Sequence, residues 1–182
     1  MAANWLSGQS CLHVGTADVN DKLPNSGNIR VVLSVYSPTH SAMLVGRRTW
    51  EVGERMEAEE PGSVDYPFSG PMFVLTHRPL ERPDPEVRIL SGDIGEAVAI
   101  ALDAAGGKSL EILGADVAGQ CLQRGLVDEV LVYVLPVLLG DGIRFSSSGV
   151  ARTDLEPISS TRSGDATILR FRVRNQTDQT AE

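Results

Sequence analysis

The sequence predicts an α/β fold: a mostly parallel central sheet carrying a C-terminal antiparallel hairpin. Three observations predict it. Short apolar runs alternate with helix-periodic segments through the interior. Buried-strand patterns at Met43 to Val45, Met72 to Leu75 and Leu110 to Leu113 each run into a polar or glycine turn. Near the C-terminus, Ala166 to Val173 alternates apolar and polar residues, as a strand with one wet face does, and Ser163-Gly164-Asp165 joins it to Leu155 to Thr161.

The elements follow in order. Asn28 to Tyr36 is rich in valine and fits either a strand or a buried helix. After the strand at Met43, the residues from Arg47 onward open a helix. Glu57 to Gly70 and Leu80 to Pro85 carry several Pro, Glu and Asp and read as surface loops. Asp93 to Ala105 is a helix: Ile94, Ala97, Val98, Ala101, Leu102 and Ala105 share one face, Asp93 and Glu96 form a capping-box-like start, and Gly106-Gly107 stops it. Leu110 to Leu113 is a strand with Gly114 at its turn. Asp116 is placed to cap a helix whose inward face is Val117, Ala118, Cys121 and Leu122. Gly125 ends that helix, and Val127 to Val134 returns as a β-branched strand, an order that suits a right-handed parallel crossover. Met1 to Ser10 and Asn175 to Glu182 are polar, loosely patterned tails.

Bulk properties narrow the function. A chain of 182 residues with 42% hydrophobic content forms one domain. Its net charge of −8 argues against a general nucleic-acid binder, which needs a basic face. Two cysteines, Cys11 and Cys121, give neither a disulfide framework nor a metal cluster, and His13, His40 and His77 lack ligand spacing, so no metal is expected. The longest apolar run, Val130 to Leu139, is broken by Pro136 and is too short to span a bilayer. It fits a core or an interface between copies. Met1 to Trp5 has neither the basic nor the apolar region of a signal peptide, so a cytoplasmic protein is expected.

The chemistry concentrates at strand ends. Met43-Leu44-Val45 runs into Gly46-Arg47-Arg48-Thr49. Backbone N–H groups at a helix start, with the helix dipole, favour an anion there, and arginine adds planar recognition of phosphate. A solvated basic pair fits that segment equally well on its own. Phe73-Val74-Leu75 ends in Thr76-His77-Arg78-Pro79, and Leu113 in Gly114-Ala115-Asp116-Val117. The former also fits a plain polar loop, and one glycine before a helix is common. Ligands of open α/β sheets bind outside the carboxyl ends of the strands, so the three turns together say more than each alone.

In this order and spacing the turns resemble the dihydrofolate reductase superfamily, and most of all the reductase domain of the bifunctional riboflavin-biosynthesis deaminase/reductase with its stand-alone relatives. Gly125-Leu126-Val127-Asp128-Glu129 followed by Pro136-Val137-Leu138-Leu139-Gly140-Asp141-Gly142 is similar to a stretch characteristic of that branch. The resemblance covers Ala42 to Val173 and implies a dihydrofolate-reductase-like three-layer fold. It implies NADPH as cofactor, with Gly46, Arg47, Arg48 and Thr49 on phosphates and Thr76, His77 and Arg78 on the adenosine 2′-phosphate. Gly114, Ala115, Asp116 and Val117 would hold the pyrophosphate.

The chain departs from that family at three places. The family's Ser-Leu-Asp-Gly signature finds its best counterpart at Asp18 to Leu23, with Asn20 and Asp21 in place of Asp-Gly. No carboxylate lies between Asp21 and Glu51, and Leu113 stands at the family's first glycine, where a side chain could crowd the phosphates. Reduction of a C=N or C=C bond needs a proton donor as well as a hydride. The candidates are Asp18, Asp21, His13, His40 and Tyr133, with Asp18, Asp21 and Tyr133 preferred. Each also has a plain structural reading, as a turn former, a core imidazole or a strand residue.

The expectation is an NADPH-dependent reductase of a small heterocyclic or unsaturated metabolite, acting as a cytoplasmic homodimer without nucleic-acid or membrane partners. The departures favour an alternative: a descendant that keeps the fold without hydride transfer, binding a small ligand or catalysing a cofactor-independent rearrangement.

Overall fold

Apolar, β-branched runs build the centre of the molecule, and their pairing gives one 8-stranded sheet. The structure, a computed structural model, describes residues 31–33, 42–59, 61, 68, 70–80, 84–138 and 151–174, with 31–33 as backbone only. In chain order the elements are β1 (Val31–Leu33), β2 (Ala42–Gly46), α1 (Arg47–Glu59), β3 (Met72–Leu75), β4 (Val87–Leu90) and α2 (Ile94–Ala104). There follow β5 (Leu110–Leu113), α3 (Ala115–Gln123), β6 (Glu129–Val134), β7 (Leu155–Ser163) and β8 (Ala166–Val173).

The strands lie in the order β4-β3-β2-β5-β1-β6-β8-β7. From β4 to β6 every neighbouring pair is parallel, whereas β8 runs antiparallel to both β6 and β7. The mostly parallel sheet and the C-terminal hairpin expected from the sequence are both present. The ambiguous segment around Val31 resolves as a strand, inserted between β5 and β6. The β5–α3–β6 unit is therefore a parallel crossover that skips over β1 rather than joining neighbours. The Cys11 to Leu23 segment lies outside the described residues.

Two apolar layers sandwich the sheet. On one face Ala42, Leu44, Phe73, Leu110 and Ile112 pack against Ile94, Ala97, Val98 and Ala101 of α2 and Val117, Ala118 and Cys121 of α3. Each large side chain removed from water here contributes roughly 1.5–3 kcal/mol. On the other face Met43, Val45, Val74, Leu80 and Leu113 form a second cluster, joined by Trp50 of α1. Alternation along β2 and β5 sends successive residues to opposite layers, which is why both faces read as apolar.

Helix ends follow local chemistry. Asp93 caps α2 and accepts from Gly95 N at 2.8 Å. At the end of α3, Gly125 N donates to Leu122 O and Leu126 N to Cys121 O, a Schellman closure with Gly125 at φ 64°. Asp116 is not the cap of α3. That position belongs to Gly114, which offers no side chain, and Asp116 instead accepts from Gln120 Nε2 within the helix. Two loop expectations also need correction: α1 continues through Glu57 to Glu59, and Leu80 is buried at 8% exposure. Strand β4 has only four residues, with Arg88 and Ile89 exposed, so its pattern carried no alternation to find.

Candidate functional site

Parallel register brings the carboxyl ends of β3, β2 and β5 side by side. Gly46 pairs with Leu75 on one flank, and Val45 pairs with Leu113 on the other. The three turns singled out in the sequence therefore leave the sheet along one edge. Gly46–Thr49 and Gly114–Val117 meet directly. A Cβ on Gly114 would lie 2.6 Å from Thr49 Oγ1 and 3.7 Å from Gly46 N, and one on Gly46 would lie 3.0 Å from Val117 Cγ2. Gly114 also holds φ 101°, a conformation L side chains rarely adopt. Two helix starts can converge this closely only because both hinge residues lack side chains.

The charges at these helix starts differ. α2 has Glu96 and α3 has Asp116 in the first turn, as the helix dipole favours, whereas α1 has no acidic residue there and begins Arg47-Arg48. Cations at a helix N-terminus oppose the dipole, so α1 carries local positive charge that an anion would relieve. Arg47 is half-buried and its Nε donates to Glu51 Oε1 at 2.5 Å. Arg48 is exposed and forms no ion pair among the described residues.

At the end of β3 the turn is self-contained. Thr76, 7% exposed, donates its hydroxyl to Arg78 O at 2.9 Å and accepts from Arg78 N at 3.1 Å. Thr76 N donates to Leu90 O at 2.8 Å. Its hydroxyl thus shapes the turn, and His77 and Arg78 are the exposed groups it presents.

Leu113 does not crowd the sheet edge. It is 7% exposed and packs with Met43, Val45, Val74 and Leu80.

Of the proton-donor candidates, Tyr133 lies near the carboxyl end of β6, half-buried against Leu131 and Ile168. Asp18, Asp21, His13 and His40 lie outside the described residues, so only Tyr133 can be placed. Among the described residues, no three His, Cys, Asp or Glu side chains gather as metal ligands, and no helix is long and apolar enough to cross a membrane. Cys121 is fully buried, which pushes its thiol up to about 12 and leaves it unreactive.

Sequence reading missed two buried acids. Glu111 of β5 and Glu129 of β6 are 0% and 2% exposed, and both pair in register with Val32 of β1. Register puts them on the Met43 face of the sheet. Glu129 accepts from Arg170 Nε at 2.7 Å, with Arg170 Nη2 at 2.5 Å. A carboxylate inside an apolar run was the available signal. Glu51, one helical turn from Arg47, was legible as an i,i+4 partner.

The strand order, the helices on both faces and the turns along one sheet edge define a dihydrofolate-reductase-like α/β fold. The chain belongs to the RibD C-terminal domain family, whose profile matches residues 14–169, a riboflavin-biosynthesis-reductase-like family. Among solved structures it is similar to a protein from Shewanella sp. PV-4 described as a riboflavin biosynthesis protein, at 24% identity and TM-score 0.61, covering 75% of each chain. It is similar to a pyrimidine reductase-like protein from Corynebacterium diphtheriae at 13% identity and TM-score 0.53, covering 85% of this chain and 96% of that one. The riboflavin biosynthesis reductase Rib7 of Saccharomyces cerevisiae matches at 14% identity and TM-score 0.50, covering 83% of this chain and 91% of its own. At these identities the structures speak for the fold. No curated protein matches the sequence.

Proposed function

We propose that this chain is an NADPH-dependent reductase of a small heterocyclic or unsaturated metabolite. The observation that carries the reading is the pair of interlocked helix starts, one of which places two arginines against its own dipole. Membership of a riboflavin-biosynthesis-reductase-like family supports the same chemistry. The residues present fit such a cofactor. The start of α3 at Gly114 has no capping side chain over its N–H groups, and Arg48 supplies exposed positive charge.

On this reading Gly46, Arg47, Arg48 and Thr49 hold phosphate oxygens, and Gly114 to Val117 offer the α3 N-terminus to the pyrophosphate. His77 and Arg78, on the turn that Thr76 shapes, take the adenosine 2′-phosphate. NADPH supplies the hydride, and a proton comes from Asp18, Asp21, Tyr133 or a positioned water. We further propose that the acting form is a cytoplasmic homodimer; exposed Val134, Val137 and Leu138, at and just beyond the end of β6, support the association.

The test is turnover. Purified protein is incubated with NADPH and a panel of aminopyrimidine, pterin and imine substrates, and loss of nicotinamide absorbance is followed. Substrate-dependent oxidation supports the reading. Saturable NADPH binding with no oxidation across the panel favours a second reading, a fold-retaining protein without hydride transfer. That second reading is favoured by Asn20 and Asp21 in place of Asp-Gly and by the lack of any carboxylate between Asp21 and Glu51.

A further inference from the structure

We propose that Glu51 sets how tightly the β2–α1 turn holds an anion, by compensating Arg47 in the unliganded protein. The proposal rests on the reading of this turn as the phosphate grip and adds to it a residue that determines affinity.

Glu51 lies one helical turn beyond Arg47, and its Oε1 is 2.5 Å from Arg47 Nε. Both side chains are part-exposed, 26% and 39%, so their charges are weakened by solvent but not erased. Nε is the nitrogen engaged, and a guanidinium has further N–H donors for a ligand oxygen. A phosphate arriving at Arg47 would have to share that cation with the carboxylate. Among the described residues Arg48 has no such partner, so only the charge of Arg47 is shared there. The start of α1 therefore holds two arginines of unequal strength, and Glu51 is the cause of the difference.

A purely structural role predicts something else. An exposed i,i+4 pair stabilises a helix slightly, and its loss would lower the melting temperature without changing affinity. The competing-charge role predicts tighter binding when the carboxylate is removed.

The experiment titrates NADPH into wild type, Glu51→Gln, Arg47→Ala and the double variant at low and high salt, following nicotinamide fluorescence. Glu51→Gln is expected to bind about threefold to tenfold more tightly at low salt, the effect of one part-screened charge. The gain should shrink at high salt and vanish in the Arg47→Ala background. Wild-type binding that Glu51→Gln leaves unchanged or weakens overturns the proposal while leaving the reductase reading intact. Absence of saturable binding by every variant overturns the reductase reading, and the role of Glu51 with it.

Discussion

Gly114 and Thr49 touch across two strands of the sheet: a Cβ added to Gly114 would sit 2.6 Å from the Thr49 hydroxyl oxygen. This contact locks the start of α3 to the start of α1. Gly114→Ala meets that clash and also a φ of 101°, so a loss of about 1–3 kcal/mol is expected, with weaker NADPH binding because Thr49 must move. Gly107→Ala, at φ 82° with open space around it, is the control. It should lose only about 1 kcal/mol and leave binding unchanged. Thermal melts and NADPH titrations of the two variants check this.

Gly46 faces Val117 in the same manner but less tightly, with 3.0 Å between a new Cβ and Val117 Cγ2. Gly46→Ala should destabilise by roughly 1–2 kcal/mol through local overpacking. Adding Val117→Ala should recover part of that loss, because the obstructing atom is a side-chain methyl. A double-mutant cycle on chemical denaturation midpoints reads the coupling.

Glu129 and Arg170 form a buried pair linking β6 to β8, with side-chain exposures of 3% and 20%. Removing the cation takes the charged partner from a buried carboxylate, so Arg170→Met should cost about 3–5 kcal/mol. Replacing both, as Glu129→Leu with Arg170→Met, should restore most of the stability. Urea unfolding of single and double variants distinguishes these outcomes.

Acid exposes the tie between α2 and α3. Asp93 accepts from Arg124 Nη1 at 2.8 Å, and this hydrogen bond, helped by Gly95 N, holds its carboxyl below the ordinary value of 3.8. A depressed carboxyl contributes stability that is present above its unfolded value and is lost as pH falls through the folded one. The melting temperature of wild type should therefore fall more steeply than that of Asp93→Asn as pH drops below about 4. Equal slopes would contradict the assignment.

Much of this architecture was legible in the chain, for physical reasons that differ by element. α2 announced itself through the spacing of Ile94, Ala97, Val98 and Ala101, all of which are buried. The hairpin was legible because β8 has one wet face. The turns at Gly46, Thr76 and Gly114 were found because strand ends in such sheets carry ligands, and register does align them. Other features depend on partners distant in sequence. β4 is short and half-exposed, and it exists as a strand because β3 offers it a parallel edge. Leu80 is loop, as its polar neighbours suggest, but it is a buried loop residue that fills the second apolar layer and not a surface one. Glu129 reads as a surface acid until Arg170, 41 residues away, is brought beside it. Leu113 raised the expectation of a blocked pyrophosphate turn, but alternation along β5 directs it into the core instead.

The central claim, that the start of α1 grips a phosphorylated cofactor, is tested most directly by comparing NADPH affinity in wild type, Arg48→Ala and Arg47→Ala by nicotinamide fluorescence. Saturable binding is expected in wild type, weakened roughly tenfold or more by Arg48→Ala, as loss of an uncompensated charge-assisted contact implies. Arg47→Ala should weaken it less, because Glu51 already shares that guanidinium. No saturable binding in wild type, or affinity that Arg48→Ala leaves unchanged, would contradict the account.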